Sequence, residues 1–240
     1  MLPIWLLCCM GISAQGQELI TDRPDFTESG VVVPTGSLQI EAGVTFEDGG
    51  DGDETISSPE LLLRWGFVER LELRIGVPDW VDQRRGTSGI SDGSLGVKWQ
   101  LGPTSAGWDL GLIGTVSLPL GDQRNTSDEV DPDLIVTAGR DLSELWSLGG
   151  QVGVGRETAG ADHETVLSAT LVLGRALGER GGLFLEFAAE DREEGGTAVL
   201  FHHGFTYLVT PTFQWDVHAG VGLTDDAPDF LIGLGFSWRP

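Results

Sequence analysis

Phe213-Gln214-Trp215-Asp216-Val217-His218-Ala219-Gly220-Val221-Gly222 and, beyond a short acidic loop, Phe230-Leu231-Ile232-Gly233-Leu234-Gly235-Phe236-Ser237-Trp238 decide the fold of this chain. In the first stretch Phe213, Trp215, Val217, Ala219 and Val221 point one way, while Gln214, Asp216, His218, Gly220 and Gly222 point the other. In the second, Phe230, Ile232, Leu234, Phe236 and Trp238 alternate with Leu231, Gly233, Gly235 and Ser237. A period of two belongs to a strand whose faces meet different solvents. Strands of about ten residues, apolar on one face and small or polar on the other, suit a barrel in a bilayer, with lipid outside and a wet lumen inside.

Upstream the same pattern predicts about twelve strands, near residues 36–46, 57–67, 70–79, 91–101, 106–119, 132–142, 145–155, 164–175, 181–190, 197–208, 212–223 and 230–238. Short connections at 68–69, 102–105, 143–144, 176–180 and 209–211 alternate with longer ones at 47–56, 80–90, 120–131, 156–163, 191–196 and 224–229. An even strand count with alternating connections predicts an all-β, antiparallel up-and-down transmembrane barrel, its short turns periplasmic and its longer acidic loops extracellular. Trp65, Trp99, Trp108, Trp146, Trp215 and Trp238 all sit beside a short turn or the chain end and share the apolar parity, as an interfacial girdle requires.

Lys+Arg 14 against Asp+Glu 37 leaves a net charge of −23, which repels phosphate backbones and excludes nucleic acid as a partner. Most of that charge falls in the long loops and their flanks. The rim is therefore either a solvated surface or a mouth that attracts cations. Residues Leu2 to Met10 form an apolar run too short to cross a bilayer, and Ala14-Gln15-Gly16 offers small residues for a signal peptidase. Residues 1–16 are read as a cleaved secretory signal, 17–35 as an N-terminal segment and 36–240 as the barrel. Cys8 and Cys9 then leave with the signal, and disulfides, thiolate metal sites and cysteine nucleophiles leave with them.

Thr21-Asp22-Arg23-Pro24-Asp25-Phe26-Thr27-Glu28-Ser29 and Val33-Pro34-Thr35-Gly36-Ser37-Leu38-Gln39-Ile40-Glu41-Ala42-Gly43 resemble the opening of the outer-membrane transporter-like family described as "Putative MetA-pathway of phenol degradation". Ser91-Asp92-Gly93-Ser94-Leu95-Gly96-Val97-Lys98-Trp99 fits the same pattern. So do Gly204-Phe205-Thr206-Tyr207, Gln214-Trp215-Asp216-Val217 and Ala227-Pro228-Asp229 near the close. The chain departs from it in ending Trp238-Arg239-Pro240 rather than on an aromatic residue. The resemblance implies a Gram-negative outer-membrane barrel that passes small molecules. Its expected partners are outer-membrane lipid, the barrel-assembly machinery and a permeant that the resemblance does not name.

The parity opposite the lipid face gives pore-lining candidates Glu41, Arg64, Glu72, Arg74, Asp92, Lys98, Asp109, Glu186, Asp216 and His218, with Glu60, Asp133 and Asp141 beside them. Arg64, Glu72 and Arg74 are expected to form one cross-strand ladder, and Lys98 with Asp109 a second. Such ladders either pack a narrow lumen and fix register or select permeants by charge. Residues 18–34 carry Asp22, Arg23 and Asp25, and form either a lumen plug or a periplasmic lead-in. His202-His203 are neighbours in a strand, so they face opposite ways and share no metal; both are expected at the rim. Neither a Ser/His arrangement for acyl transfer nor metal-ligand or nucleotide-binding spacing is present, so no enzyme and no cofactor are expected. The function predicted is passive passage of small solutes, with hydrophobic or aromatic compounds as candidates. The alternatives are a non-conducting surface barrel with cation-binding acidic loops, or a lipid-modifying outer-membrane enzyme.

Overall fold

A computed structural model describes residues 18–240, leaving out Arg124, Gly160, Ala161 and Glu194. Its strands are β1 (Leu38–Asp48), β2 (Glu54–Ser58), β3 (Leu62–Val68), β4 (Leu71–Gly76), β5 (Trp80–Gln83), β6 (Gly89–Ile90), β7 (Gly93–Gln100) and β8 (Asp109–Leu118). They continue with β9 (Pro132–Asp141), β10 (Trp146–Ala159), β11 (Asp162–Leu177), β12 (Gly181–Arg192), β13 (Thr197–Thr210), β14 (Phe213–Gly222) and β15 (Phe230–Trp238). Each pairs antiparallel with its neighbour, and β15 returns to β1 with Ile40 opposite Trp238 and Asp48 opposite Phe230. The sheet is closed, so it has no free edge to satisfy in lipid.

Fifteen segments make twelve barrel strands because three strands are interrupted. β2 and β3 both pair with β1, β5 prolongs β4, and β6 leads into β7. Two prolines cause the first two breaks, since a proline has no amide to give a ladder. Opposite Pro59 the pairing with β1 slips by one residue, and the Gly43 amide donates to the Pro59 carbonyl at 2.7 Å. Beside Pro78 a side chain stands in: the Glu60 amide donates to Asp79 Oδ1 at 2.6 Å, and the Asp79 amide to Ser91 Oγ at 2.9 Å. The sequence pattern shows these as two strands and a loop, because alternation runs through the breaks. The loop expected at 156–163 is instead the tip of a tall hairpin, in which β10 and β11 stay paired from Trp146–Arg175 to Ala159–Asp162.

The burial pattern is inverted relative to a water-soluble domain. Val152 is 60% exposed and Leu171 57%, with Leu134, Val136, Leu167, Phe187, Ile232 and Leu234 similarly bare on the outer face. Inside, Gln39, Glu41, Arg64, Glu72, Lys98, Glu186 and His202 are 0% exposed. An apolar surface this continuous is stable only against acyl chains. Trp65, Trp99, Trp146, Trp215 and Trp238 lie outward at the short-turn end. Trp108, half-buried, lies under the Arg140 guanidinium at 5.3 Å, and Trp146 under that of Arg175 at 4.8 Å.

Candidate functional site

Strand parity sends Arg64, Glu72, Arg74 and Lys98 into the lumen from three adjacent strands. Register places Arg64 opposite Arg74 and Glu72 opposite Lys98. Two like charges facing each other across a pair are unfavourable on their own. The N-terminal segment resolves this by lying inside the barrel. Its Asp22 carboxylate accepts from Lys98 Nζ at 2.7 Å, pairs with Arg64 at 3.1 Å and bonds Arg74. Glu28 takes Arg74 at 2.8 Å and Lys98 at 3.4 Å. Glu72 receives Arg64 bidentately, Nε at 2.8 Å and Nη2 at 3.0 Å, and Glu41 accepts Arg64 Nη1 at 2.7 Å. Three bases and four acids thus pair with one another, Arg64, Lys98, Glu41 and Glu72 fully buried and Glu28 alone partly open to solvent, as charges taken from water require.

The segment's backbone is tied down as well. The Arg23 amide donates to Glu41 at 3.0 Å and the Val33 amide to Glu72 at 2.8 Å. Along the β14, β15 and β1 side the Arg23 guanidinium spans Glu60 at 3.0 Å and Asp216 at 3.3 Å. It fits because Gly43 and Gly235 face each other at the β1–β15 junction, and a Cβ on either would strike the guanidinium. Farther along, Glu186 accepts the Phe26 and Thr27 amides, both at 2.9 Å, and the Thr27 hydroxyl at 2.6 Å. Its second partner is His202, whose Nδ1 lies 2.9 Å away, while His202 Nε2 lies 2.9 Å from His218 Nδ1. The Phe26 ring packs on the His202 ring with centroids 4.5 Å apart.

Against the third wall the contacts are neutral. Gln151 accepts the Glu28 amide at 2.7 Å and donates to the Phe26 carbonyl at 2.9 Å. The Thr27 and Thr170 hydroxyls meet at 2.5 Å, and the Thr137 hydroxyl donates to the Glu28 carbonyl. On the long-loop side of the segment is a cavity of about 350 Å³ lined by Phe26, Gln151, Ser168, Thr170, Leu200 and Leu231. On the short-turn side is one of about 340 Å³, reached by Asp25, Thr27, Glu28, Gly149 and Val172.

Of the residues expected in the pore, Glu41, Arg64, Glu72, Arg74, Lys98, Glu186, Asp216 and His218 turn inward and converge on the segment. The ladder of Arg64, Glu72 and Arg74 is present. The second ladder is not: Lys98 stands opposite Ile113 and spends its charge on Asp22 and Glu28, while Asp109 sits at the short-turn end beside Gly30 and Asp141. Asp92 lies between β6 and β7, off any strand, and fastens the loop at 119–131 by accepting the Gly121 amide at 3.0 Å and the Ser127 amide at 2.9 Å. Burial alone would raise its carboxyl; the Ser127, Thr126 and Gly121 donors outweigh that and hold it below the ordinary range. His202 is corrected from rim to lumen centre, whereas its neighbour His203 turns outward to stack on Phe201. Sequence reading missed Thr27, Glu28, Gln39, Gln151 and Thr170 because none carries an unusual motif, although Gln151 and Thr170 do share lumen parity. Residues 1–16, read as the signal, lie outside the described residues.

Fold and site together define a bilayer-spanning twelve-stranded barrel whose lumen holds the chain's own N-terminal segment. The family model described as "Putative MetA-pathway of phenol degradation" matches residues 21–239, and the chain belongs to that family. No curated protein matches it. Among solved structures, the COG4313 outer membrane channel from Pseudomonas putida F1 is 14% identical, with 87% of this chain and 97% of that one covered at a TM-score of 0.69. The NanC porin is 9% identical over 85% of this chain and 100% of that one, with a TM-score of 0.61. The CymD monoaromatic hydrocarbon channel is 9% identical over 86% and 89%, with a TM-score of 0.50. At these identities the likeness is one of fold.

Proposed function

We propose that this barrel sits in the outer membrane of a Gram-negative-type bacterium and passes small solutes passively down their gradient, with no covalent step and no cofactor. The observation that carries the reading is the lumen itself: a polar interior with a cavity on each side of a single inserted segment. Glu41, Arg64, Glu72, Arg74, Lys98, Glu186, Asp216 and His218 line it, and Asp22 and Arg23 anchor the segment as a plug. Asp25 and Asp109 line the periplasmic vestibule, and Asp92 the extracellular one. Support for hydrophobic or aromatic permeants comes from the family's description, which names phenol degradation, and from the neighbour described as a monoaromatic hydrocarbon channel. The acidic loops favour cations at the outer mouth. Purified protein in a planar bilayer is expected to give discrete, cation-preferring potassium chloride conductance, enlarged when residues 18–33 are deleted. Silence from both proteins, each shown to be folded, overturns the channel reading in favour of a surface role for the loops.

A further inference from the structure

The inserted segment is held in two different ways around its circumference. Toward β3, β4 and β7 it is fixed by ion pairs through Asp22 and Glu28, toward β1 by Glu41, which accepts the Asp22 and Arg23 amides, and toward β12 by the Glu186 carboxylate. Toward β9, β10 and β11 its hydrogen bonds, among the described residues, go to Thr137, Gln151 and Thr170, all uncharged. Neutral hydrogen bonds exchange for water at small net cost, whereas parting buried ions is expensive. The weak wall is also where the two compartments come closest. Along β10 the outer cavity reaches Gln151 and the inner one starts at Gly149; along β11 the corresponding residues are Thr170 and Val172. Gln151 is paired with Thr170, and Gly149 with Val172, so one residue pair separates the cavities, about 7 Å of strand.

We infer that solute crosses the lumen along β10 and β11, and that Gln151 and Thr170 are the gate residues that part from segment residues 26–28 to admit it. This rests on the channel reading and adds to it a route and a specificity-determining pair. Because Gln151 and Thr170 present an amide and a hydroxyl, a permeant at this step is offered neutral donors and acceptors, and uncharged hydrogen-bonding solutes fit it best.

The test uses the full chain in a Cys8→Ser/Cys9→Ser background, reading potassium chloride conductance in planar bilayers and arabinose entry into liposomes. Gln151→Gly/Thr170→Ala is expected to raise both several-fold. Thr27→Cys/Thr170→Cys, whose parent hydroxyls already touch, is expected to lose flux on oxidation and regain it with reductant. If the double variant does not fold, the cysteine pair decides by itself. A barrel shown by gel mobility to be cross-linked, yet passing salt as freely as when reduced, overturns the route. If deletion of 18–33 conducts while oxidation and widening change nothing, the channel reading stands and the gate falls; if every protein is silent, the channel reading falls and takes the gate with it.

Discussion

Asp22 is the residue on which the interior turns. Arg64 and Arg74 face each other with Lys98 one strand away, and Asp22 touches all three. Asp22→Asn keeps the shape and removes the compensation, so it is expected to destabilise the barrel by about 3–5 kcal/mol, read as a lower urea midpoint in lipid vesicles. Lys98→Met combined with Asp22→Asn should recover part of that loss, since the pair is removed together; strict additivity of the two losses would show they do not interact. On the opposite surface, Leu171→Arg places a charge among acyl chains and is expected to cost about 2–4 kcal/mol by the same measurement. The inward direction of Arg64, Glu72, Arg74 and Lys98 was legible from alternation alone. Their partner was not, because Asp22 lies in a segment without period, and nothing local says that such a segment enters a barrel.

Among the elements, the loop at 119–131 is held by two acids. Asp92 receives the Gly121 and Ser127 amides, and Asp131 receives the Thr158 hydroxyl at 2.7 Å and Arg156 Nε at 3.2 Å. For Asp131 too, burial works upward, but the Thr158 and Arg156 donors prevail and the carboxyl lies below its ordinary value. An acid with a lowered folded-state value contributes stability above the unfolded value, near 3.9, and loses it as pH falls through and beneath that point. Hydrogen exchange across 119–131 is therefore expected to stay protected from neutral pH to about 5 and to open below about 4. Protection unchanged at pH 3 would remove these carboxylates as the fastening. Strand positions followed from alternation to within a few residues, but the interruptions at Pro59 and Pro78 did not. Alternation records which face a side chain takes, and a bulge alters hydrogen bonding before it alters the pattern.

For the molecule as a whole, charge is arranged by depth. The loops are strongly acidic, the central cluster pairs Arg64, Arg74 and Lys98 with Asp22, Glu28, Glu41 and Glu72, and at the short-turn end Arg140, Arg175 and Arg180 alternate with Glu18, Asp109 and Asp141. Cation preference is thus expected to arise at the outer mouth and to fade with ionic strength, since exposed charges are screened beyond roughly 10 Å at 0.1 M salt. A reversal potential that keeps its cation preference undiminished at 1 M salt would place selectivity deeper, at the compensated cluster. The inverted distribution of polarity was plain from sequence; the division of the lumen was not, because it depends on where an irregular stretch comes to rest.

The junction between β1 and β15 joins the first and last strands, and there Gly43 and Gly235 leave a niche that Arg23 fills on its way between Glu60 and Asp216. The guanidinium acts as a peg across the seam of a rolled sheet. Sealing the cylinder and seating its leading tail therefore reinforce each other: a tube stitched shut around an empty niche keeps an unneutralised Asp216 beside two bare glycines, and a seated tail tightens the stitches.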